Sequence, residues 1–532
     1  MNSIFRAERM RILSNYCRLL ASMIIGLVVT RLLLQGGEWL FSVYTLITVG
    51  MGVSVMLTEL IRLGSVPILG ASLCEGEVLD SRKFSEDLSA TFAISLAGSV
   101  LGAAIMLCLG WLLLGTDATL SNERAVWLFL FTRIAMMVFA VALTPAMVVL
   151  LVSGRQPTFN LFLFLERVAE LIGVAVPLWV LSSSNSLESD HLIQIGAGVA
   201  LCSIAVYVAA GVCAFQPSSA VKTQLSRLKM SALTVLLQRI GWSSLQILSS
   251  NLYVRVDILI VAAFVGPAGT VALGIAIRLM GYVRQATNGL ISGLDAIIAN
   301  LDGQRKRSHG DPTSSDEIEF KLLSLSTCLQ GGIVFQLAVL LILLREAIVN
   351  LWVGDLIREN VASSTVEDIA LLATLMVIGI GFRSLNLSWM SAMTGRGNAK
   401  HFSPWLMPGA IGNATVLTVW GTFSPDTFSF LAIGWVFVSF QLMTHGILIP
   451  IVSARSLGYP LKLLIEPLFV PLMIAVATFL VAQGLKSQFK DIPSVWVVLG
   501  VVVVVGIGFA VTLCFTIRMG GRRNVVGPRD QT

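Results

Sequence analysis

About fourteen apolar segments, most close to twenty residues long, follow one another along this 532-residue chain. That pattern constrains the fold more than any motif. A helix needs roughly 20 mostly apolar residues to cross a bilayer, and with no water in the hydrocarbon to satisfy open strands, such segments must be helices. Only 12% of the residues are charged, against roughly 25% in soluble domains. The longest polar insert, 301–320, reads as a loop, so no separate soluble domain is expected. The expected fold class is an all-α polytopic membrane protein with about 14 transmembrane helices.

The predicted spans are 17–34, 40–61, 88–114, 125–152, 159–181, 192–215, 233–265, 270–299, 322–344, 369–393, 405–423, 428–452, 463–485 and 495–517. The net charge of +6 could point to nucleic acid, but its placement argues against that. Basic residues collect in alternate short loops: Arg82 and Lys83; Arg155; Lys222, Arg227 and Lys229; Arg305 to Arg307; Arg396 and Lys400; Arg455 and Lys462. The intervening loops QGGE, SSSNSLESD, VGPAG and FSPDT carry none. By the positive-inside rule both termini are expected to be cytoplasmic. The N-terminal stretch lacks a small-residue cleavage site and reads as an uncleaved first helix.

Nothing points to an enzyme. There is no nucleophile elbow, no His/Cys set with metal-ligand spacing and no phosphate-binding glycine loop. The seven cysteines form no CxxC, and most lie in apolar sequence, where cysteine behaves as a small hydrophobe. No cofactor and no metal are expected.

A weak internal repeat relates TRLLLQGGEWLFSVYTLITVG to DILIVAAFVGPAGTVALGIAIRL. In each, an apolar helix ends in a glycine-containing turn and a small-residue-rich helix follows. Both pairs start on the cytoplasmic side, which predicts two parallel six-helix repeats plus two C-terminal helices. Parallel repeats are a known transporter plan. The expected boundaries are 1–215, a basic cytoplasmic linker at 216–232, 233–452, and a two-helix appendage with tail at 453–532.

The opening TRLLLQGGEWLFSVYTL, the central VDILIVAAFVGPAGTVALGIAIRL, and IVNLWVG followed by AMTGRGNAK carry a resemblance. Together they resemble the polysaccharide-biosynthesis (O-antigen and exopolysaccharide) flippases of the multidrug/oligosaccharidyl-lipid/polysaccharide exporter superfamily. The resemblance implies a bacterial inner-membrane protein that moves polyprenyl-pyrophosphate-linked glycan to the outer leaflet. Its implied partners are that lipid-linked glycan, the bilayer, and a polysaccharide polymerase with chain-length proteins. It also implies that the first, second, seventh and eighth spans line a central cavity. Aromatic and glycine landmarks of the family are sparse here, which leaves the glycan open.

Charges inside the spans name the candidate site residues, because a charge at the bilayer centre costs about 2.5–3.5 kcal/mol on insertion scales and usually faces a protein interior or a wet cavity. Arg31 lies near the outer end of the first span, where it can anchor at the interface or line the cavity. Glu59 and Arg62 are spaced i,i+3 and can neutralise each other. In the seventh span Arg255 and Asp257, two residues apart, do not share a helix face and need separate partners. In the eighth, Arg278 and Arg284 point to different faces. These charges can pair, for instance Asp257 with Arg278. Alternatively Arg255, Arg278 and Arg284 offer fixed positive charge to a pyrophosphate, a role that suits the bidentate guanidinium. Glu166, Arg167 and Glu170 in the fifth span form an internal ionic patch, pack against Arg133 of the fourth, or serve ion coupling. Asp295 and Arg383 rank lower, and His445 reads as structural.

Three transport functions are weighed. The excess of arginine over carboxylate in the spans favours an anionic lipid-linked oligosaccharide. A lipid II flippase handles the same pyrophosphate chemistry, whereas a multidrug antiporter of the superfamily favours cations and an acidic cavity.

Overall fold

The computed structural model describes residues 2–74, 81–114, 123–153, 155–181, 188–215, 228–291, 294–295, 297–298, 312–360, 365–488 and 494–522. These residues are helical almost throughout, with no strand among them. In chain order the helices are α1 (Asn2–Gln35), α2 (Glu38–Thr45), α3 (Ser54–Cys74), α4 (Ser81–Leu114), α5 (Glu123–Ala142), α6 (Thr144–Val152), α7 (Gln156–Leu181), α8 (Glu188–Ala214), α9 (Met230–Phe264) and α10 (Pro267–Ile291). There follow α11 (Pro312–Val349), α12 (Asp355–Asn360), α13 (Val366–Leu385), α14 (Leu387–Gly395), α15 (Ala399–Phe423), α16 (Phe430–Gln441), α17 (Ile449–Leu457), α18 (Leu461–Gln488) and α19 (Ser494–Arg522).

Over its described residues, each of the fourteen expected spans coincides with one helix or with a helix broken once. Eleven described segments are long and apolar enough to cross a membrane. The chain is a multi-pass membrane protein. The three remaining spans, α7, α10 and α15, are 26, 25 and 25 residues long. Two of them carry the charges singled out from the sequence: Glu166, Arg167 and Glu170 on α7, and Arg278 and Arg284 on α10. The polar insert at 301–320 is not all loop. Its second half is the start of α11, which begins at Pro312 and carries an i,i+4 pair, Lys321 Nζ to Glu317 Oε1 at 2.8 Å. Proline suits a first turn, where its missing N–H would have no partner anyway.

Broken helices mark where the ladder is interrupted. The second span runs as α2, a π-helical segment Leu46–Met51, an extended Gly52 (φ −69°, ψ 102°), and α3. A Cβ at Gly52 would collide with the Thr48 carbonyl oxygen, so the break requires glycine. The twelfth span is interrupted by a π-helical segment, Leu442–Leu448, after which Pro450 sits in the first turn of α17.

The two stretches related in sequence share a turn. Gly37 (φ 109°) separates α1 from α2 and Gly266 (φ 85°) separates α9 from α10. Left-handed φ of this kind is cheap only for glycine.

The chain packs as two units. The first comprises Met1–Gly274, Asp355–Ser364 and Leu417–Ser429. One part of its core gathers Phe84, Leu88, Val148, Leu150, Phe159 and Phe162 from α4, α6 and α7. Here α7 and α8 cross on glycines: a Cβ on Gly198 would come within 3.0 Å of the Gly173 carbonyl oxygen. The second unit comprises Ile275–Gly354, Thr365–Val416 and Phe430–Thr532. In it Trp389, Phe402, Ile449 and Leu464 form one buried cluster, and Trp389 Nε1 donates to Thr327 Oγ1 at 2.9 Å. A second cluster, with Val339, Leu343, Ala475, Ala482 and Val501, packs the last two helices against α11. Trp179, Phe469 and Leu480 point outward, as lipid-facing side chains do.

Candidate functional site: charges within the spanning helices

In the first unit, the break in the second span decides where Arg255 goes. Val49 lies in the π-helical segment, and its carbonyl accepts from Arg255 Nη1 of α9 at 2.8 Å. Arg255 Nε donates one turn back to Asn251 Oδ1 at 2.9 Å. One of the five guanidinium donors thereby holds α9 against the irregular backbone, the kind of repair that interrupted spans need, and a second stays within α9. Asp257, two residues on, is wholly buried.

The carboxylates of α7 are held by tyrosines that sequence reading passed over. Tyr44 of α2 donates its hydroxyl to Glu170 Oε1 at 2.7 Å, and Tyr207 of α8 donates to Glu166 Oε1 at 2.7 Å. Arg167 Nη1 closes an i,i+3 ion pair with Glu170 Oε2 at 2.9 Å. Arg133 of α5 is 5% exposed and stacks its guanidinium 4.8 Å from the Tyr44 ring centroid and 5.0 Å from that of Phe129. Tyr44 therefore stands between Arg133 and Glu170, taking the cation on its ring and the carboxylate on its hydroxyl. The available signal was one tyrosine in a span whose other buried residues are mostly aliphatic.

Elsewhere in this unit, Glu59 and Arg62 pair within α3 at 2.5 Å. Arg31 pairs with Asp355 of α12, Nη2 to Oδ2 at 2.7 Å, with both side chains about half exposed. Arg31 is therefore not committed to lipid headgroups alone.

In the second unit, Arg278 and Arg284 are half-buried on α10. One turn beyond Arg284, Thr287 hydrogen-bonds its hydroxyl to Ser384 of α13 at 3.2 Å, tying α10 to that helix. His445 is buried in the π-helical segment, and its carbonyl accepts from Asn386 Nδ2 at 2.5 Å. Arg396, counted from sequence only as a loop charge, reaches Glu319 of α11 at 2.8 Å, with Glu319 wholly buried. It also donates to the Leu457 carbonyl at 3.1 Å and stacks 5.8 Å from the Tyr459 ring centroid. Among the described residues no group of three or more His, Cys, Asp or Glu is placed to hold a metal ion.

The fold has solved counterparts. An inward-facing multidrug resistance MATE family transporter of the MOP superfamily superposes with a TM-score of 0.64 at 11% identity, covering 85% of this chain and 99% of its own. The lipid II flippase MurJ, in an inward closed conformation, superposes with a TM-score of 0.64 at 12% identity, covering 96% of this chain and 99% of its own. A MATE protein in its bent conformation gives 0.60 at 13% identity, covering 85% and 96%. The chain shares the fold of these solved transporters. No protein-family model and no curated protein matches the sequence.

Proposed function

We propose that the protein is a flippase that moves a polyprenyl-pyrophosphate-linked oligosaccharide from the cytoplasmic to the outer leaflet of a bacterial inner membrane, by alternating access. The observation that carries this reading is the basic character of the spans. Arg255, Arg278 and Arg284 lie well inside helices of a transporter fold, where a fixed cation is costly unless used. The hypothesis is that these three, with Arg31 at the outer end of α1, present positive charge to the pyrophosphate during passage. Glu59 with Arg62, Asp257, Glu166 and Glu170 serve as structural pairs or as ion-coupling groups. On this reading the division at 1–215, 233–452 and 453–532 is the functional one, with both termini cytoplasmic.

Lipid II transport is the second reading, and coverage favours it over drug export. The flippase structure extends over 96% of the chain and the MATE structures over 85%. The difference, about 58 residues of 532, is close in size to α18 and α19 together. Drug export by a MATE-like antiporter gains no such support, and arginine-rich spans do not suit a cationic cargo.

Complementation separates these readings. The gene is placed in one strain lacking its polysaccharide flippase and in another depleted of its lipid II flippase. Rescue of the first alone is expected. Arg255, Arg278 and Arg284 are then changed singly to Ala and to Lys, and surface glycan is measured at matched protein levels. If every variant restores glycan as the wild type does, the pyrophosphate role is wrong.

A further inference from the structure

Arg31, assigned above to the pyrophosphate, already holds a carboxylate: its Nη2 lies 2.7 Å from Asp355 Oδ2. The two residues are 324 positions apart, so the fold has brought the acid to the base. Asp355 follows IVNLWVG, a stretch to which the proposed function gives no role. The last five residues of that stretch, Asn350–Gly354, turn as a π-helical segment at the end of α11, with Val353 and Gly354 buried. Such turns are frequent at functional sites. A Cβ on Gly354 would run into Asn350 Oδ1, so the turn is fitted to glycine. Asp355 then opens α12, and the next two residues, Leu356 and Ile357, are 6% and 1% exposed. Their burial anchors the short helix in the first unit and keeps the carboxylate at the guanidinium.

Exposure decides what kind of pair this is. The Arg31 and Asp355 side chains are 42% and 50% exposed. Water competes for both groups, so an exposed pair contributes little to stability and is readily exchanged. The Arg396–Glu319 pair is the opposite case, because its acid is wholly buried. An incoming pyrophosphate diester carries a negative charge on each phosphate, and its paired oxygens suit the planar fork of a guanidinium. It can therefore displace the Asp355 carboxylate. Once it is in place, the anchored carboxylate stands nearby with like charge and weakens the hold.

We propose that Asp355 is a competing carboxylate: it holds Arg31 when no substrate is present and sets how tightly this end of α1 binds a pyrophosphate. The inference rests on the pyrophosphate reading and deepens it. Arg31 supplies the attraction, and Asp355 supplies the weakness that lets the anion leave. A carrier must release its cargo as well as bind it, and an arginine without a competitor would retain a pyrophosphate.

The purified full-length protein in lipid nanodiscs is titrated with UDP-glucose, a soluble pyrophosphate diester, and with uridine as the control. The half-saturating concentration is read from the rise in melting temperature, and no rise is expected with uridine. Asp355→Asn is expected to lower the wild-type midpoint about two- to fivefold, the range of an exposed charge pair. Asp355→Glu is expected to restore it. Arg31→Gln is expected to raise the midpoint, and adding Asp355→Asn to Arg31→Gln should change it no further. Should Asp355→Asn fail to fold, Asp355→Ala is read in its place, with the same direction expected. A carboxylate that only braces α12 would change the melting temperature of the unliganded protein and leave the midpoint where it was. The inference is overturned if removing the Asp355 charge leaves binding no tighter than in the wild type, or tightens it equally in the Arg31→Gln background. If neither the wild type nor Asp355→Asn shows a saturable rise beyond that with uridine, the pyrophosphate reading fails and takes this inference with it.

Discussion

Tyr44 joins a buried cation of the first unit to a carboxylate. Its ring carries the Arg133 guanidinium and its hydroxyl carries Glu170. The two roles separate by mutation. Tyr44→Phe removes only the hydroxyl and its bond to a carboxylate, and should cost about 1.5–3 kcal/mol. Tyr44→Leu also removes the aromatic face, adding up to about 2 kcal/mol for a desolvated cation–π contact. Thermal unfolding of the two variants in the same lipid measures the difference, and equal losses would show that the stacking contributes nothing. Arg396 makes the parallel case in the second unit. Breaking its ion pair by Arg396→Ala leaves Glu319 buried without its cation, and a loss of about 3–5 kcal/mol is expected. Survival of Arg396→Ala with wild-type melting would refute that reading. From sequence, Arg396 was indistinguishable from any other cytoplasmic base, because its partner lies 77 positions earlier in the chain.

At the scale of elements, irregularity carries more information than regular helix. The second span breaks at Gly52, and that break exposes the Val49 carbonyl that Arg255 occupies. Gly52→Ala should therefore do more than strain one residue. It should loosen α9 as well, seen as faster hydrogen exchange in both 46–57 and 250–258. Faster exchange in the first stretch alone would mean that Arg255 is not coupled to the break. The α7–α8 crossing makes a simpler prediction. A Cβ on Gly173 would run into the backbone of Val199, so Gly173→Val should lower folded yield sharply, while Gly241→Ala, with open space around it, should not. Small residues permit this close approach where lipid gives helices little hydrophobic reason to associate.

At the scale of the whole molecule, the charge pattern predicts orientation and energetics together. Alternate loops hold the bases, so a fluorescent protein fused after Thr532 should glow in the cytoplasm and a periplasmic phosphatase fused there should stay inactive. The opposite result would invert the proposed direction of transport. A pyrophosphate moved outward down an inside-negative potential of 100 mV gains about 2.3 kcal/mol for each uncompensated negative charge. Flipping in proteoliposomes should therefore speed up under such a potential. Insensitivity would mean that the arginines travel with the substrate.

Helix number, position and membrane placement were legible in the sequence because each depends on local composition: twenty apolar residues need lipid wherever they sit in the chain. The glycine turns at Gly37 and Gly266 were legible for the same reason, since a backbone requirement is met by the residue at that position. The pairing of Glu59 with Arg62, three residues apart on one helix, needed no more than that spacing. Partners from distant segments were not legible. Glu170 was a candidate for Arg133, for ion coupling or for its own helix, and only packing put Tyr44 between the two. Arg255 looked like a ligand-binding cation, and the fold showed one of its donors given to the Val49 carbonyl and another to Asn251 on its own helix. A charge in an apolar segment announces that it must be satisfied; which group satisfies it is decided by the helix that comes to lie alongside.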